Sequence, residues 1–140
     1  MVSVLFVDDE TSFRDVIIKR MGKRGITAAG AADGEEALVL IEKQSFDVVV
    51  LDVRMPGSRN GIEILREIKN RWPLIEVIML TGHAMLEAAR TGMEVGAFDY
   101  IIKPADFDEL FYKIQDACQK KRFQETKIKG IENIIKKQNS

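Results

Sequence analysis

Several scarcities bound what this 140-residue chain can be. Its one cysteine, Cys118, can form no internal disulfide and matches no paired metal-site spacing, which fits a reducing compartment and a small buried hydrophobe. No apolar run approaches the roughly 20 residues needed to span a bilayer. The opening "MVSVLFVDDE" has neither the basic start nor the small-residue cleavage site of a signal peptide, so a cytoplasmic location is expected, with no membrane contact. Neither sign of charge is in excess: 21 Lys and Arg stand against 22 Asp and Glu, a net charge of −1. That balance removes the global electrostatic case for nucleic acid or an acidic surface, and any charge argument must be local.

What is present is apolar and ordered. With 46% hydrophobic residues, the chain is long enough for one core and too short for two ordinary domains. Short β-branched runs alternate with segments of helical period. Strands are predicted at Val2 to Val7, Thr27 to Ala31, Asp47 to Leu51, Ile75 to Leu80 and Phe98 to Ile102. Helices are predicted at Thr11 to Lys23, from the capping box Asp33/Glu36 to about Gln44, around Ile62, Leu65 and Ile68 up to Trp72-Pro73, at Met85 to Glu94, and from the capping box Asp106/Glu109 onward. Five such units with near-continuous apolar strands imply a doubly wound α/β fold, a five-stranded parallel sheet with five flanking helices. Right-handed crossovers favour the flavodoxin-like strand order 2-1-3-4-5, with the ligand site beyond the carboxyl ends of the central strands.

Under that topology Asp8-Asp9-Glu10, Asp52, Thr81 and Lys103 converge on one pocket. Singly, each has an ordinary reading: Asp9 or Thr11 as a helix cap, Asp52 as a turn residue, Thr81 or Lys103 as a cap or a surface charge. Together they do not. Two carboxylates about 4 Å apart repel by roughly 4 kcal/mol at an effective dielectric near 20, so three in one place ask for a cation. Hard oxygen ligands without Cys or an obvious His describe Mg²⁺ better than zinc. Lys103 and Thr81 add a positive charge and a hydroxyl suited to phosphoryl oxygens, which leaves Asp52 as a nucleophile that would form an acyl phosphate. "FDVVVLDVRMPG" then makes sense: the aliphatic strand holds Asp52 rigidly, and Met55, Pro56 and Gly57 turn the chain away from it.

In their order, "VLFVDDE", "DVVVLDVRMPG", "NGIEIL", "VIMLTGHA" and "GAFDYIIKP" resemble the receiver domains of two-component response regulators over about residues 2–120. The resemblance implies a phosphoacceptor signalling switch and no enzyme in the ordinary sense, catalysing only its own phosphorylation and slow dephosphorylation. It implies Asp52 as the phosphorylated residue, Asp9 as a direct Mg²⁺ ligand, Asp8 acting through water, and the Arg54 backbone carbonyl completing the set. Thr81 and Tyr100 match the switch positions, and Lys103 matches the family's lysine, with a cis Lys103-Pro104 bond. Tyr100 otherwise reads as a core aromatic. Arg54 and His83 match positions that tune dephosphorylation, and Asn60 stands where Asp is frequent. "RMPG" and "LTGHA" look most like receivers that precede enhancer-binding, ATPase-type regulators. The implied partner is a sensor histidine kinase or phosphotransfer protein, and the surface of helix four, strand five and helix five carries the response.

Residues 121–140 read as a separate stretch, a helical or frayed linker without an output domain and without direct nucleic-acid binding. Ile114, Ala117, Lys121, Gln124, Ile128, Ile131 and Ile135 fall at heptad spacing, compatible with a homodimer through the C-terminal helix. Gly130 argues the other way, weakening a continuous helix by roughly 1 kcal/mol relative to Ala.

Overall fold

Alternate residues of the aliphatic strands face opposite sides of one sheet, and both sides are covered. The computed structural model describes residues 1–54 and 60–139. Its elements are β1 (Ser3–Val7), α1 (Thr11–Lys23), β2 (Thr27–Ala31), α2 (Gly34–Lys43), β3 (Val48–Asp52), α3 (Gly61–Arg71), β4 (Glu76–Thr81), a 3₁₀ turn (His83–Met85), α4 (Leu86–Val95), β5 (Asp99–Ile102) and α5 (Phe107–Gln138). All strand pairs are parallel, in the order β2-β1-β3-β4-β5. This is the doubly wound, flavodoxin-like arrangement expected from the alternation.

Leu5, Val7, Val49, Leu51, Val77 and Met79 point to the side covered by α2, α3 and α4. Their neighbours Val4, Phe6, Val48, Val50, Ile78 and Leu80 point to the side of α1 and α5, against Ile17, Met21, Leu110 and Ile114. Burying one such aliphatic side chain is worth about 1.5–3 kcal/mol, so two full layers fix the strand registers strongly.

Local chemistry at the helix starts departs from the sequence expectation. Asp33 and Asp106 each accept from the backbone N–H three residues on, but neither box closes reciprocally. Glu36 instead accepts from Ala32 N–H, and Glu109 turns toward Lys113. The reciprocal capping box is at Asn60/Glu63, opening α3. Gly61 beside it is required by space: a Cβ there would meet the Val53 carbonyl oxygen at 2.7 Å and Val53 Cα at 2.8 Å. That close approach lets α3 pack directly under the chain leaving β3.

Helix α5 is continuous through Gly130 to Gln138. Ile114 and Ala117, the first of the heptad positions, are wholly buried in the domain. At the amino edge of the sheet, Lys120 pairs with the buried Glu76 at 3.1 Å, and Lys121 pairs with Asp47 at 3.2 Å, clamping α5 to the start of β4 and the residue before β3. Among the described residues, no helix is long and apolar enough to cross a membrane.

Candidate functional site

Register places the acids side by side. Val7 of β1 pairs with Leu51 of β3, so Asp8 and Asp52, one residue further on, come out at the same edge. Both are almost completely buried, while Asp9 is exposed at the rim. One carboxylate oxygen from each of Asp8, Asp9 and Asp52 lies within 4.8 Å of the others. Asp8 Oδ1 accepts from Glu10 N–H at 2.9 Å, and Asp52 Oδ1 accepts from Arg54 N–H at 3.0 Å, so each carboxylate is oriented by its own backbone two residues on.

Lys103 reaches the cluster from beyond β5. Its backbone N–H donates to the Thr81 carbonyl at 2.7 Å, and the following peptide bond to Pro104 is cis. Its ammonium lies 3.0 Å from Asp52 Oδ2 and 3.1 Å from Asp8 Oδ2, with the Phe13 ring 5.3 Å away. Arg14 holds the Asp8 carbonyl at 2.6 Å from below.

The electrostatics are unbalanced. Burial pushes the Asp52 carboxyl above its ordinary range; hydrogen bonds from Lys103 and Arg54 N–H and the Lys103 charge pull it partly back, and the Asp8 charge pushes it up again. Burial works against the Lys103 ammonium, yet its bonds to Asp52 and Asp8 outweigh that and hold its pKa above the usual lysine value. Three carboxylates thus face one ammonium, and a small, hard divalent cation suits both the remaining charge and the all-oxygen donor set. The cleft above them, about 590 Å³, is lined by Asp9, Glu10, Asp52, Arg54, Gly82 and Lys103, among others.

Other residues singled out from the sequence stand apart from this cluster. Thr81 is buried, and its hydroxyl turns to the Gly82 and Met85 carbonyls at 3.2 and 3.3 Å. Tyr100 is 38% exposed on the outer edge of β5, beside Asp99, Glu109 and Lys113, and so is not a core aromatic. His83 is exposed in the 3₁₀ turn, between cleft-lining Gly82 and Ala84. Met55, Pro56 and Gly57, expected to turn the chain away from Asp52, lie outside the described residues. Sequence reading missed the supports: Phe13 and Arg14 on α1, and the Asn60/Glu63 box whose N-x-x-E spacing was legible.

The model of the response regulator receiver domain matches residues 4–115. An NtrX-like response regulator of Rickettsia typhi is 34% identical over 137 residues, covering 97% of this chain and 29% of that protein. The DNA-binding transcriptional regulator NtrC of Salmonella typhimurium is 38% identical over 114 residues, covering 81% of this chain and 24% of that protein. The chain therefore spans under a third of the length of these relatives. Among solved structures, the receiver domain of NtrX from Brucella abortus superposes with a TM-score of 0.78 at 34% identity, covering 83% of this chain and 98% of its own. A response regulator receiver domain protein from Clostridium thermocellum gives 0.84 at 34% identity, covering 89% and 99%. Matched along most of its length in sequence and in fold, the chain belongs to the response regulator receiver domain family, and among its relatives are the receivers of NtrX-like and NtrC regulators.

Proposed function

We propose that Asp52 is the phosphoacceptor of a two-component signalling switch, taking a phosphoryl group from a sensor histidine kinase or a phosphotransfer protein. The observation that carries this reading is the placement of the Asp52 carboxylate between Lys103, at 3.0 Å, and the carboxylates of Asp8 and Asp9. A carboxylate oxygen of Asp52 attacks phosphorus, the P–N bond of the donor phosphohistidine breaks, and the imidazole leaves with the electron pair of that bond. Lys103 Nζ, already on the Asp52 carboxylate, stabilises charge on the transferred oxygens. Asp9 and Asp52, with the Arg54 carbonyl and Asp8 through water, are the residues that would hold Mg²⁺. When bound, that ion supplies charge neutralisation for the acids and the incoming phosphoryl group.

The aspartyl phosphate then offers new acceptor oxygens. Thr81, whose hydroxyl otherwise serves the Gly82 and Met85 carbonyls, turns toward them, and Tyr100 moves inward from its exposed position. The switch shifts a pre-existing equilibrium of the α4–β5–α5 face and with it the preference for partners, including a second copy through that face or through the extension of α5. Arg54 and His83, flanking the cleft, tune the lifetime of the phosphoryl group. We read residues 1–120 as the switch and 121–140 as an extension of it. Relatives named as DNA-binding transcriptional regulators support a transcriptional output; we read the location as cytoplasmic and assign no nucleic-acid contact to this chain itself.

The test is intact-protein mass spectrometry after incubation with Mg²⁺ and acetyl phosphate. One added phosphoryl mass is expected on the parent and none on Asp52→Asn. Equal modification of both proteins, or of neither, contradicts the assignment.

A further inference from the structure

Lys103 has two tasks that pull against each other. Its ammonium rests on the acids, 3.0 Å from Asp52 Oδ2 and 3.1 Å from Asp8 Oδ2. During transfer it turns to the phosphoryl oxygens, while the new bond to phosphorus neutralises the Asp52 charge that attracted it. The backbone of Lys103 is fixed by its N–H, which donates to the Thr81 carbonyl at 2.7 Å, but the stem beyond it is long and flexible. At 27% exposure of the side chain, water reaches the head as well.

A further neighbour of the ammonium carries no charge. Lys103 Nζ stands over the ring of Phe13, 5.3 Å from its centre, inside the roughly 6 Å over which a ring face attracts a cation. Phe13 belongs to the first turn of α1, where it is half-buried and packed against the apolar layer shared by α1 and α5. The next residue, Arg14, donates to the Asp8 carbonyl at 2.6 Å. Its stem runs so close to β2 that a Cβ on Gly30 would meet Arg14 Cδ at 2.9 Å. One turn of α1 thus touches both the cation and an acid of the site, and core packing keeps the ring in place when the ammonium changes partners.

An aromatic face differs from a carboxylate in the way this site needs. It attracts the cation without a formal charge, so it adds nothing to the repulsion among Asp8, Asp9 and Asp52. Its pull does not depend on one hydrogen-bond direction, so it persists as the donor turns from carboxylate to phosphoryl oxygen. We propose that Phe13 is a positioning residue for phosphoryl transfer, its ring holding the Lys103 ammonium by a cation–π contact and keeping it aimed at the transferred oxygens. This rests on the reading of Asp52 as the phosphoacceptor and adds a residue to it.

The test changes the charge on the ring face and keeps the ring. Phenylalanine carrying one, two or three fluorines is placed at position 13, each fluorine drawing density away from the face. The rate of Asp52 phosphorylation by acetyl phosphate with Mg²⁺, followed by intact mass, falls in step with fluorine number, to about fivefold below the parent for the trifluoro ring. Phe13→Leu, apolar but without a π face, matches the trifluoro protein, and Phe13→Tyr stays within about twofold of the parent. Thermal melts of the fluorinated set stay together, which a merely structural role of the ring does not explain. The Lys103 ε-methylene protons report the contact directly, shifted upfield by the ring in the parent and at ordinary lysine positions in Phe13→Leu. A rate indifferent to fluorination, a Phe13→Leu protein as fast as the parent, or an unshifted Lys103 methylene in the parent overturns the proposal. A parent that gains no phosphoryl overturns the acceptor role of Asp52 and this role of Phe13 with it, whereas a parent that gains phosphoryl at a rate blind to the ring overturns the Phe13 role alone.

Discussion

The two ends of the sheet are built from the same residue types and balanced in opposite ways. At the amino edge, Asp47 faces Lys121 and Arg122, and the buried Glu76 faces Lys69 and Lys120, so each acid has two cations. At the carboxyl edge, Asp8 and Asp52 share Lys103, and the carboxylate of Asp9 adds a third negative charge beside them. Burial of a charge is costly at either end. At the amino edge the protein offsets that cost with its own side chains and gains a clamp on α5. At the carboxyl edge it leaves a deficit of positive charge, which is the condition for binding something from outside.

Substitutions at the two edges sharpen this contrast. The largest effect is expected from Lys103→Gln, which removes the ammonium shared by Asp8 and Asp52: phosphorylation of Asp52 by acetyl phosphate slows roughly hundredfold, followed by intact mass against time. At the amino edge, Glu76→Gln leaves Lys69 and Lys120 without their acid and destabilises by about 1–3 kcal/mol, read by urea unfolding. Asp52→Asn, in contrast, relieves a buried carboxylate and stabilises the metal-free protein by about 1 kcal/mol in the same measurement. Opposite signs at the two edges are the signature of one balanced and one unbalanced cluster.

Smaller effects refine it. Mg²⁺ at ten times its dissociation constant stabilises the parent by about 1.4 kcal/mol, and this gain is lost in Asp52→Asn and kept in Glu76→Gln, as thermal melts with and without the ion would show. The pH dependence has a definite sign. The folded-state pKa of Asp52 is raised above the ordinary 3.8, so only between that value and the raised one does the folded protein hold a proton there that the unfolded chain has released. In metal-free buffer, its contribution therefore falls as pH rises from about that value through the raised pKa, then levels off. The stability gap between Asp52→Asn and the parent widens over this range.

Most of the fold was legible because it rests on pattern. Alternating aliphatic runs and helical stripes are local, and the parallel order follows from handedness once five units are counted. Asp8, Asp52 and Lys103 were legible as a group for the same reason, since topology alone brings strand ends together. Rotamers were not legible: nothing local says that the Thr81 hydroxyl turns to the Met85 carbonyl, or that Tyr100 stands outside the sheet. Nor was the clamp. Lys120, Lys121 and Arg122 look like the start of a basic tail until α5 is seen lying against Asp47 and Glu76. The heptad reading began in the wrong place for a related reason, because Ile114 and Ala117 satisfy their apolar character inside the domain.

The most direct test of the uneven edges is a Mg²⁺ titration of the ¹⁵N-labelled chain, followed through its backbone amide signals. Saturable shifts confined to residues 8–10, 52–54, 81–84 and 103, and absent in Asp52→Asn, are the expected result. Shifts centred on Asp47 and Glu76, or no saturable shift at the Asp8–Asp9–Asp52 cluster, would contradict the account.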